Sequence, residues 1–403
     1  MSYSKQSLKN FEEAMESFGS GKVIIVTDHH RREDEGDLIV AADKITPSAI
    51  NFMAKYGRGL ICVAMERRQL ERLGLARMPV FGGRDPYNTA FMESVDASEG
   101  ITTGISAHDR AATVKAMVDP ESTPSSIVRP GHMFPLEAVE GGVFTRAGHT
   151  EAAVDMARLC GLVPAGVICE IMREDGEMAR GPELTSFAEE HGIKLITIDE
   201  IASYRKIKER VIALDKSVGL PTPYGLFQIN LFNSAIDGKE HLALVMGQPS
   251  RGDIPLVRLH SECLTGDVFG SMRCDCGPQL HESMKMVGER GAGIILYMRQ
   301  EGRGIGLSHK LGAYALQDTG LDTVDANTKL GFDPDMRDYC TAAQILKNLE
   351  IDNIELLTNN PGKVEGLEQY GITVAKRTSI VTDPNEHNEF YLETKRKRFG
   401  HIF

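Results

Sequence analysis

The chain has 403 residues, 41% hydrophobic and 25% charged, and its 45 basic against 57 acidic side chains give a net charge of −12. That length suggests two domains of roughly 200 residues rather than one core. The acidic balance excludes the global basic footprint of a nucleic-acid-binding protein, and no run approaches the roughly 20 apolar residues of a membrane span. Lys5, Lys9, Glu12 and Glu13 stand where a secretory signal would be apolar, and the seven cysteines are odd in number and mostly scattered. Both features point to a reducing cytoplasm and away from a disulfide frame. In chain order, GKVIIVTD (21–28) reads as a strand and EAAVDMARLCG (151–161) as a helix stopping at Gly161. PAGVICEIM (164–172) and KLITI (194–198) read as strands, and TSFAEEHGI (185–193) as a helix that also ends in glycine. A short basic helical connector follows near 200–211, and the chain restarts at LPTPYGLFQINLF, two prolines followed by a strand pattern. Later come strands HLALVMG (241–247), GIILYMR (293–299) and IELLTNN (354–360), with helices HKLGAYALQDTG (309–320) and TAAQILKNLE (341–350). The expected class is α+β: two mixed α/β domains in tandem, each with its own sheet core, over 1–203 and 211–403, joined by 204–210.

Three of the seven cysteines fall in one loop, HSECLTGDVFGSMRCDCG (260–277). Thiolates suit zinc, and Cys263, Cys274 and Cys276 offer three. A structural zinc site needs a fourth ligand, for which His260 or His281 could serve; three ligands and an open position are the arrangement of a catalytic zinc. Three reduced buried cysteines are the plain alternative, but Arg273, Asp275 and Gly277 make the loop too polar for core packing. RQEGRGIGL (299–307) packs arginines among glycines, which let backbone approach a ligand while guanidinium forks grip phosphate. DPDMRDY (333–339) adds carboxylates and Arg337, and TNNPGKVEGL (358–367) turns into a helix start with Lys363, a plausible anion site. Each alone reads as solvated surface; with the cysteine loop they suggest a polyphosphate substrate and hydrolysis.

HSECLTGD, RCDCG, RQEGRGIGL, AYALQD, TVDAN and LLTNNPGK occur in this order, and 211–403 resembles GTP cyclohydrolase II of riboflavin synthesis. That family opens the imidazole ring of GTP and releases formate and pyrophosphate. The resemblance implies that Cys263, Cys274 and Cys276 hold one zinc, whose water attacks C8 of guanine. It implies GTP contacts from Arg258, Leu259, His260, Ser261, Glu262, Gln279, Glu301, Gly302, Arg303, Thr323, Thr358 and Lys363. Asp335 matches the proton acceptor, Tyr314 a tyrosine near the reacting ring, and Arg337 a residue acting at the α-phosphate. A guanidinium stays protonated, so electrostatic stabilisation of the leaving pyrophosphate suits Arg337 better than nucleophilic attack.

In the first half, RREDEGD (31–37) follows the first strand. Its alternating Glu33, Glu35 and Asp37 are hard oxygen donors suited to magnesium, though a solvated acidic turn would look the same. RPGHMFPL (129–136) sets His132 between apolar residues, where a lone histidine reads first as a satisfied buried side chain. TRAGHTEAAVDM (145–156) puts Arg146, His149 and Thr150 at a helix start, where backbone N–H groups and Arg146 could receive a phosphate. With EGD, GLICVAM, TTGISAHDR and GVICEIM, these stretches look like 3,4-dihydroxy-2-butanone 4-phosphate synthase over about 8–203. That family converts D-ribulose 5-phosphate to the butanone phosphate and formate. The resemblance implies Mg2+ or Mn2+ on Glu33 and His149, and substrate contacts from Arg32, Glu33, Asp37, Arg146, Ala147, Gly148, His149, Thr150 and Glu170. His132 and Glu170 would act in catalysis, with Asp28, Glu35 and Cys62 in the pocket.

Two stretches depart from the family. Where it usually reads DDEDRENEGD, this chain has DHHRREDEGD, so that His29, His30 and Arg31 replace a mainly acidic tip; FTVSVDA becomes FMESVDA, bringing in Met92 and Glu93. The expected protein is a cytoplasmic bifunctional riboflavin-pathway enzyme acting on GTP and D-ribulose 5-phosphate. The resemblance implies a homodimer, with no nucleic-acid or membrane partner. Its rivals are a cyclohydrolase carrying an inactive first half as scaffold, and a zinc-stabilised module that senses nucleotides without turnover.

Overall fold

The computed structural model describes residues 5–402 other than 30, 31, 81, 84, 85 and 250–253. It divides into two units, Met1–Lys208 and Glu209–Phe403. Among the described residues no helix is long and apolar enough to cross a membrane.

The first unit is built on β1 (Ile24–Thr27), β2 (Gly36–Ala41), β3 (Cys62–Glu66), β4 (Val95–Ala97), β5 (Ile127–Ala138), β6 (Ala165–Glu170) and β7 (Leu195–Thr197), in the order β4-β5-β3-β6-β2-β1-β7. Side chains alternate between its faces. Ile25, Leu38, Val40, Val63 and Met65 pack on one side with Ile50, Val114, Met117 and Leu184 from three helices. Ile24, Val26, Ile39, Ala41 and Ala64 pack on the other with Phe11 and Phe18 and the helices His149–Leu159 and Ile198–Lys208. Burial on both faces explains why the strands read as unbroken apolar runs. Helix His149–Leu159 is buried from His149 to Ala157, because it lies between the sheet and the helices around it.

The second unit holds β8 (Ile212–Thr222), β9 (Gly225–Ser234), β10 (Glu240–Met246), β11 (Leu256–Ser261), β12 (Gly293–Met298), β13 (Asn353–Leu357) and β14 (Thr373–Thr378), in the order β14-β13-β11-β12-β10-β9-β8. Neighbours from β14 to β12 run parallel and those from β12 to β8 antiparallel. Ligands of such sheets collect beyond the carboxyl ends of the parallel strands. The cysteine loop follows β11, RQEGRGIGL follows β12 and TNNPGK follows β13.

Both units are mixed α+β, as expected. One expected element is found with more order than expected, and two strands were not read from the sequence. The connector expected to be helical is the helix Ile198–Lys208, and its last turn, 204–208, is packed on the first unit: buried Arg205 pairs with Asp155 Oδ2 at 2.7 Å and lies over the Phe144 ring at 4.2 Å. A strand absent from the sequence reading, β8, runs into the first of the two prolines; as an exposed edge strand it shows no apolar alternation, and Pro221 falls near its end, where a missing N–H is tolerated. RPGHMFPL lies within the long strand β5 in spite of its two prolines.

Candidate active sites

The cysteine loop of the second unit brings its three sulfurs together. The Sγ atoms of Cys263, Cys274 and Cys276 all lie within 4.8 Å of one another, and Cys263 to Cys274 is 3.6 Å. A tetrahedral ion with bonds near 2.3 Å holds its sulfurs about 3.8 Å apart, so the spacing fits zinc. Among the described residues no fourth His, Cys, Asp or Glu joins the group. His260 Nε2 faces Asp267 at 3.0 Å, and His281 Nδ1 pairs with Tyr224 Oη at 3.0 Å. Local geometry explains the convergence: Cys263 leads into the short helix Leu264–Asp267 and Cys276 opens the helix Cys276–Arg290. A Cβ on Gly266 would stand 2.8 Å from Cys274 Sγ, and one on Gly277 would stand 2.3 Å from the Gly266 carbonyl. Only glycines let the two turns touch around the sulfurs.

The loop is fixed from outside by Asp267, which accepts from the Cys263 amide (2.9 Å), Tyr297 Oη (2.9 Å) and His260 Nε2. Burial lowers the pKa of His260; the ring donates from Nε2, leaving Nδ1 buried with no hydrogen-bond partner among the described residues. Lys310 reaches Cys263 Sγ at 3.1 Å and Glu301 Oε1 at 2.8 Å. Hydrogen bonds from the Cys274 and Cys276 thiols, with Lys310 behind them, hold Cys263 far below the usual thiol range. The thiolate so formed pushes Cys274 up to about 11 and Cys276 higher still. A divalent cation would remove that conflict by binding all three as thiolates.

Around the sulfurs lies a cleft with about 1130 Å³ of empty space, partly open to solvent, ample for a nucleotide. Its lining includes every residue expected at GTP except Leu259, together with Arg337 and Tyr314. Leu259 contributes its carbonyl, which accepts from Lys363 Nζ at 2.6 Å. Burial, then the neighbouring Arg258, Arg337 and Lys395, pushes Lys363 well below the usual lysine range. Arg258 is drawn down to about 10 by burial; its Nη atoms meet the Leu357 carbonyl and Gln279 Oε1, and its Nε has no hydrogen-bond partner among the described residues. Cations crowded this way, with orphaned N–H groups, are suited to a polyanion. Glu301 is turned to the cysteine loop, taking the Leu264 amide at 2.7 Å as well as Lys310. Asp335 is not in the cleft wall: Arg337 grips it through Nε (2.8 Å) and Nη2 (2.5 Å), and although burial opposes it this pairing holds the carboxyl below its usual range. The sequence reading missed Lys310, Asn327, Asn360, Tyr391, Lys395, Phe399 and His401, all in the lining. Asn327 was within reach of sequence, one helical turn beyond Thr323 in the helix Thr323–Lys329.

In the first unit Asp28, Glu33 and His149 bring one ligand atom each within 4.8 Å of the others. Asp28, at the end of β1, also organises the acidic turn: it takes the amides of Glu33 (3.1 Å) and Glu35 (2.9 Å) and Arg32 Nη1 (2.8 Å). Arg32 continues to Glu33 at 2.9 Å and lies over Tyr87. Two buried atoms here have no hydrogen-bond partner among the described residues, His149 Nε2 and Asp37 Oδ1, although Asp37 Oδ1 stands 3.6 Å from His149 Nδ1. Burial lowers His149 to about 4, keeping a neutral ring with a free lone pair. Burial, followed by Glu170, Glu33 and Glu35, raises Asp37 well above the carboxylate range. Hard oxygens, an imidazole and orphaned acceptors fit a divalent cation. Burial, then Glu170 and Asp37, also pushes up the Cys62 thiol on β3.

Other expected residues are placed differently. Arg146 is pinned by Glu151 Oε2 (2.6 Å), Thr89 Oγ1 (3.2 Å) and the Tyr87 carbonyl (3.1 Å). Gly148 caps the helix of His149 and Thr150; Ala147 precedes the cap, where a Cβ at 148 would meet Arg146 Nη1 at 2.4 Å. Glu170 Oε2 takes the Leu60 amide at 2.8 Å. His132 is not a buried satisfied ring: its side chain is 43% exposed and Nδ1 pairs with Asp96 Oδ2 at 2.7 Å. It stands on β5, with β3 and β6 between it and β2, so the structure does not bring it to the Asp28–Glu33–His149 cluster. Of the departures, His29 is exposed, and His30 and Arg31 lie outside the described residues. Met92 is core, and half-exposed Glu93 pairs with Arg129 at 3.6 Å.

Comparison with known proteins matches residues 12–204 to the family of 3,4-dihydroxy-2-butanone 4-phosphate synthase and residues 214–379 to that of GTP cyclohydrolase II. Riboflavin biosynthesis protein RibBA of Aquifex aeolicus is 51% identical over 395 residues, covering 97% of each chain. That of Bacillus mycoides is 53% identical over 391 residues, covering 97% of this chain and 98% of its own. A solved structure, RibBX of A. baumannii, described as a two-domain 3,4-dihydroxy-2-butanone 4-phosphate synthase, is 35% identical. It covers 92% of this chain and 99% of its own, with a TM-score of 0.67.

Proposed function

The chain belongs to the bifunctional riboflavin-biosynthesis family that joins a 3,4-dihydroxy-2-butanone 4-phosphate synthase to a GTP cyclohydrolase II, and on that premise we propose how its own residues perform the two reactions. The observation that carries the reading is the group of three thiols, with no fourth His, Cys, Asp or Glu beside it among the described residues, in the lining of a cleft rich in cations.

In the second unit Cys263, Cys274 and Cys276 would hold one zinc ion, which when bound supplies Lewis acidity and a water activated near neutral pH. Arg258, Arg303 and Lys363 bind the triphosphate, and their orphaned or depressed cations gain an anionic partner. His260 and Ser261 keep partnerless buried atoms, Nδ1 and Oγ, for polar edges of the nucleotide. Tyr314 Oη, 3.3 Å from Thr265 Oγ1 beside the sulfurs, orients the reacting ring. Arg337 stabilises the departing pyrophosphate; Asp335, locked to it, acts through that arginine and is a weak base in this geometry.

In the first unit Glu33, His149 and Asp28 would hold magnesium or manganese, which supplies Lewis acidity to the sugar's carbonyl and hydroxyl oxygens. Asp37, whose carboxyl is held above the usual range by burial and then by Glu170, faces His149 Nδ1 at 3.6 Å and contacts substrate oxygen, and neutral His149 remains a ligand. Arg32, with the N–H groups from Arg146 to Thr150, receives the phosphate. Glu170 is assigned to proton transfer; the His132–Asp96 pair, with two strands between it and β2, can share it only with a substrate that extends from the metal cluster to β5. The proposal includes a cytoplasmic homodimer, which solution mass measurement tests.

The purified chain should release formate from GTP with zinc and from D-ribulose 5-phosphate with magnesium. Cys274→Ser should lose zinc and GTP turnover while keeping the sugar-phosphate reaction. Full GTP hydrolysis by a zinc-free variant would overturn the site, and no formate from the sugar phosphate would return the first unit to a scaffold.

A further inference from the structure

The helix Glu389–Phe399 and the residues after it lie beyond the stretch matched to the cyclohydrolase family, which ends at residue 379. They nevertheless supply Tyr391, Lys395, Phe399 and His401 to the cleft. The tail is fastened at two places. Arg398 reaches Asp325 at 3.0 Å and Asp322 at 3.8 Å, at the start of the helix that carries Thr323. Beyond the helix, the Ile402 amide donates to the Asn359 carbonyl at 2.9 Å, and Arg377 Nη1 reaches the Ile402 carbonyl at 3.4 Å. Two side chains of this tail, Lys395 and Phe399, bear on groups the chemistry uses. The Arg303 guanidinium lies 4.1 Å from the centre of the Phe399 ring, and its buried Nη1 has no hydrogen-bond partner among the described residues. Lys395 Nζ pairs at 2.5 Å with buried Asp275, which stands between two of the cysteines and also takes Gln279 Nε2 at 2.7 Å.

We propose that residues 389–402 are a working wall of the nucleotide site, in which Phe399 positions Arg303 toward the substrate's phosphates and Lys395 positions the cysteine loop through Asp275. The proposal rests on the GTP reading of the cleft and extends it to a segment outside the matched family region. An aromatic face holds a guanidinium flat and leaves its N–H fork directed at an anion. Without the ring, Arg303 samples other rotamers and the loss falls on binding. Without Lys395, an unpaired buried carboxylate would stand among the thiolates, repelling them and misplacing the loop. That loss falls on turnover and on metal retention.

The test uses the full chain carrying Phe399→Leu, Phe399→Tyr, Lys395→Met or Lys395→Arg. Bound zinc per chain and the KM and kcat for formate release from GTP are measured for each. Phe399→Leu should raise KM about tenfold with kcat and zinc nearly unchanged, and Phe399→Tyr should restore KM. Lys395→Met should lower kcat about tenfold or more and weaken zinc retention, and Lys395→Arg should recover most of both. Wild-type KM in Phe399→Leu with wild-type kcat in Lys395→Met would overturn the proposal. Equal damage from Phe399→Leu and Phe399→Tyr would do so as well, by reducing the ring to packing. A wild-type chain that retains zinc but releases no formate from GTP would instead bring down the underlying reading, and this proposal with it.

Discussion

Asp267 shows how one side chain outside the sulfur group governs it. Three donors converge on its carboxylate, from His260, Cys263 and Tyr297. Asp267→Ala leaves all three donors without this acceptor, so the Cys263 backbone loses its fixed position. Zinc affinity should fall about tenfold to a hundredfold, read by competition with a chelator, while the first unit's activity is unchanged. Lys363 gives a prediction with a definite sign. Burial and three neighbouring cations hold its pKa well below the usual value, so it loses its proton as pH rises, before an ordinary lysine would. Phosphate binding favours the charged form; GTP binding should therefore take up protons, and KM for GTP should increase with pH. In Lys363→Arg that rise should vanish, because guanidinium stays protonated; an unchanged KM–pH profile would remove Lys363 from the phosphate site. The cysteines were legible at this scale because thiols at close spacing in polar surroundings have few other uses. Lys310 was not: it lies 47 residues beyond Cys263 in the helix Gly306–Gln317, and nothing local marks one lysine as the partner of a distant thiolate.

The helix Leu264–Asp267 is only four residues long, and its contact with the start of Cys276–Arg290 forms the cysteine site. Gly266→Ala sets a methyl 2.8 Å from Cys274 Sγ and 3.2 Å from Cys263 Sγ, so the two turns must separate. Loss of zinc and of GTP turnover is expected, with sugar-phosphate activity intact. Asn360 caps the helix Pro361–Gln369 through the Gly362 amide at 2.9 Å and so sets the first turn that carries Lys363. Asn360→Ala should cost about 1 kcal/mol of stability, read from denaturant unfolding, and raise KM for GTP. Elements with a buried apolar face were readable from their period, as β6 and the helix His149–Leu159 show. Strand β8 was not, since an exposed edge carries no such signal, and β5 was hidden by the prolines that its sequence includes. The tail helix eluded reading for a related reason: KRKR (395–398) looks like a solvated run, yet Lys395 is buried against Asp275.

At the scale of the whole chain, each unit has a seven-stranded sheet with no strand shared and its own buried clusters. The change of pattern near residue 200 made two domains legible. The end of the first unit at Lys208 depends on Arg205 meeting Asp155, 50 residues earlier, which no local signal announces. Two separate cores imply two separate linkages to metal. An ion that binds only the folded form stabilises by an amount set by its concentration relative to its dissociation constant, and the gain falls on the unit that binds it. Zinc would act through the thiols of the second unit, and magnesium through Asp28, Glu33 and His149 in the first. Calorimetry should therefore resolve two unfolding transitions. A thiolate-selective zinc chelator should lower one of them by several degrees and abolish formate release from GTP. The other transition should be unmoved by that chelator and rise with added magnesium, along with formate release from ribulose 5-phosphate. A single transition responding to both ions would mean that the two cores unfold as one cooperative unit, and that the sites share stability although they share no residue.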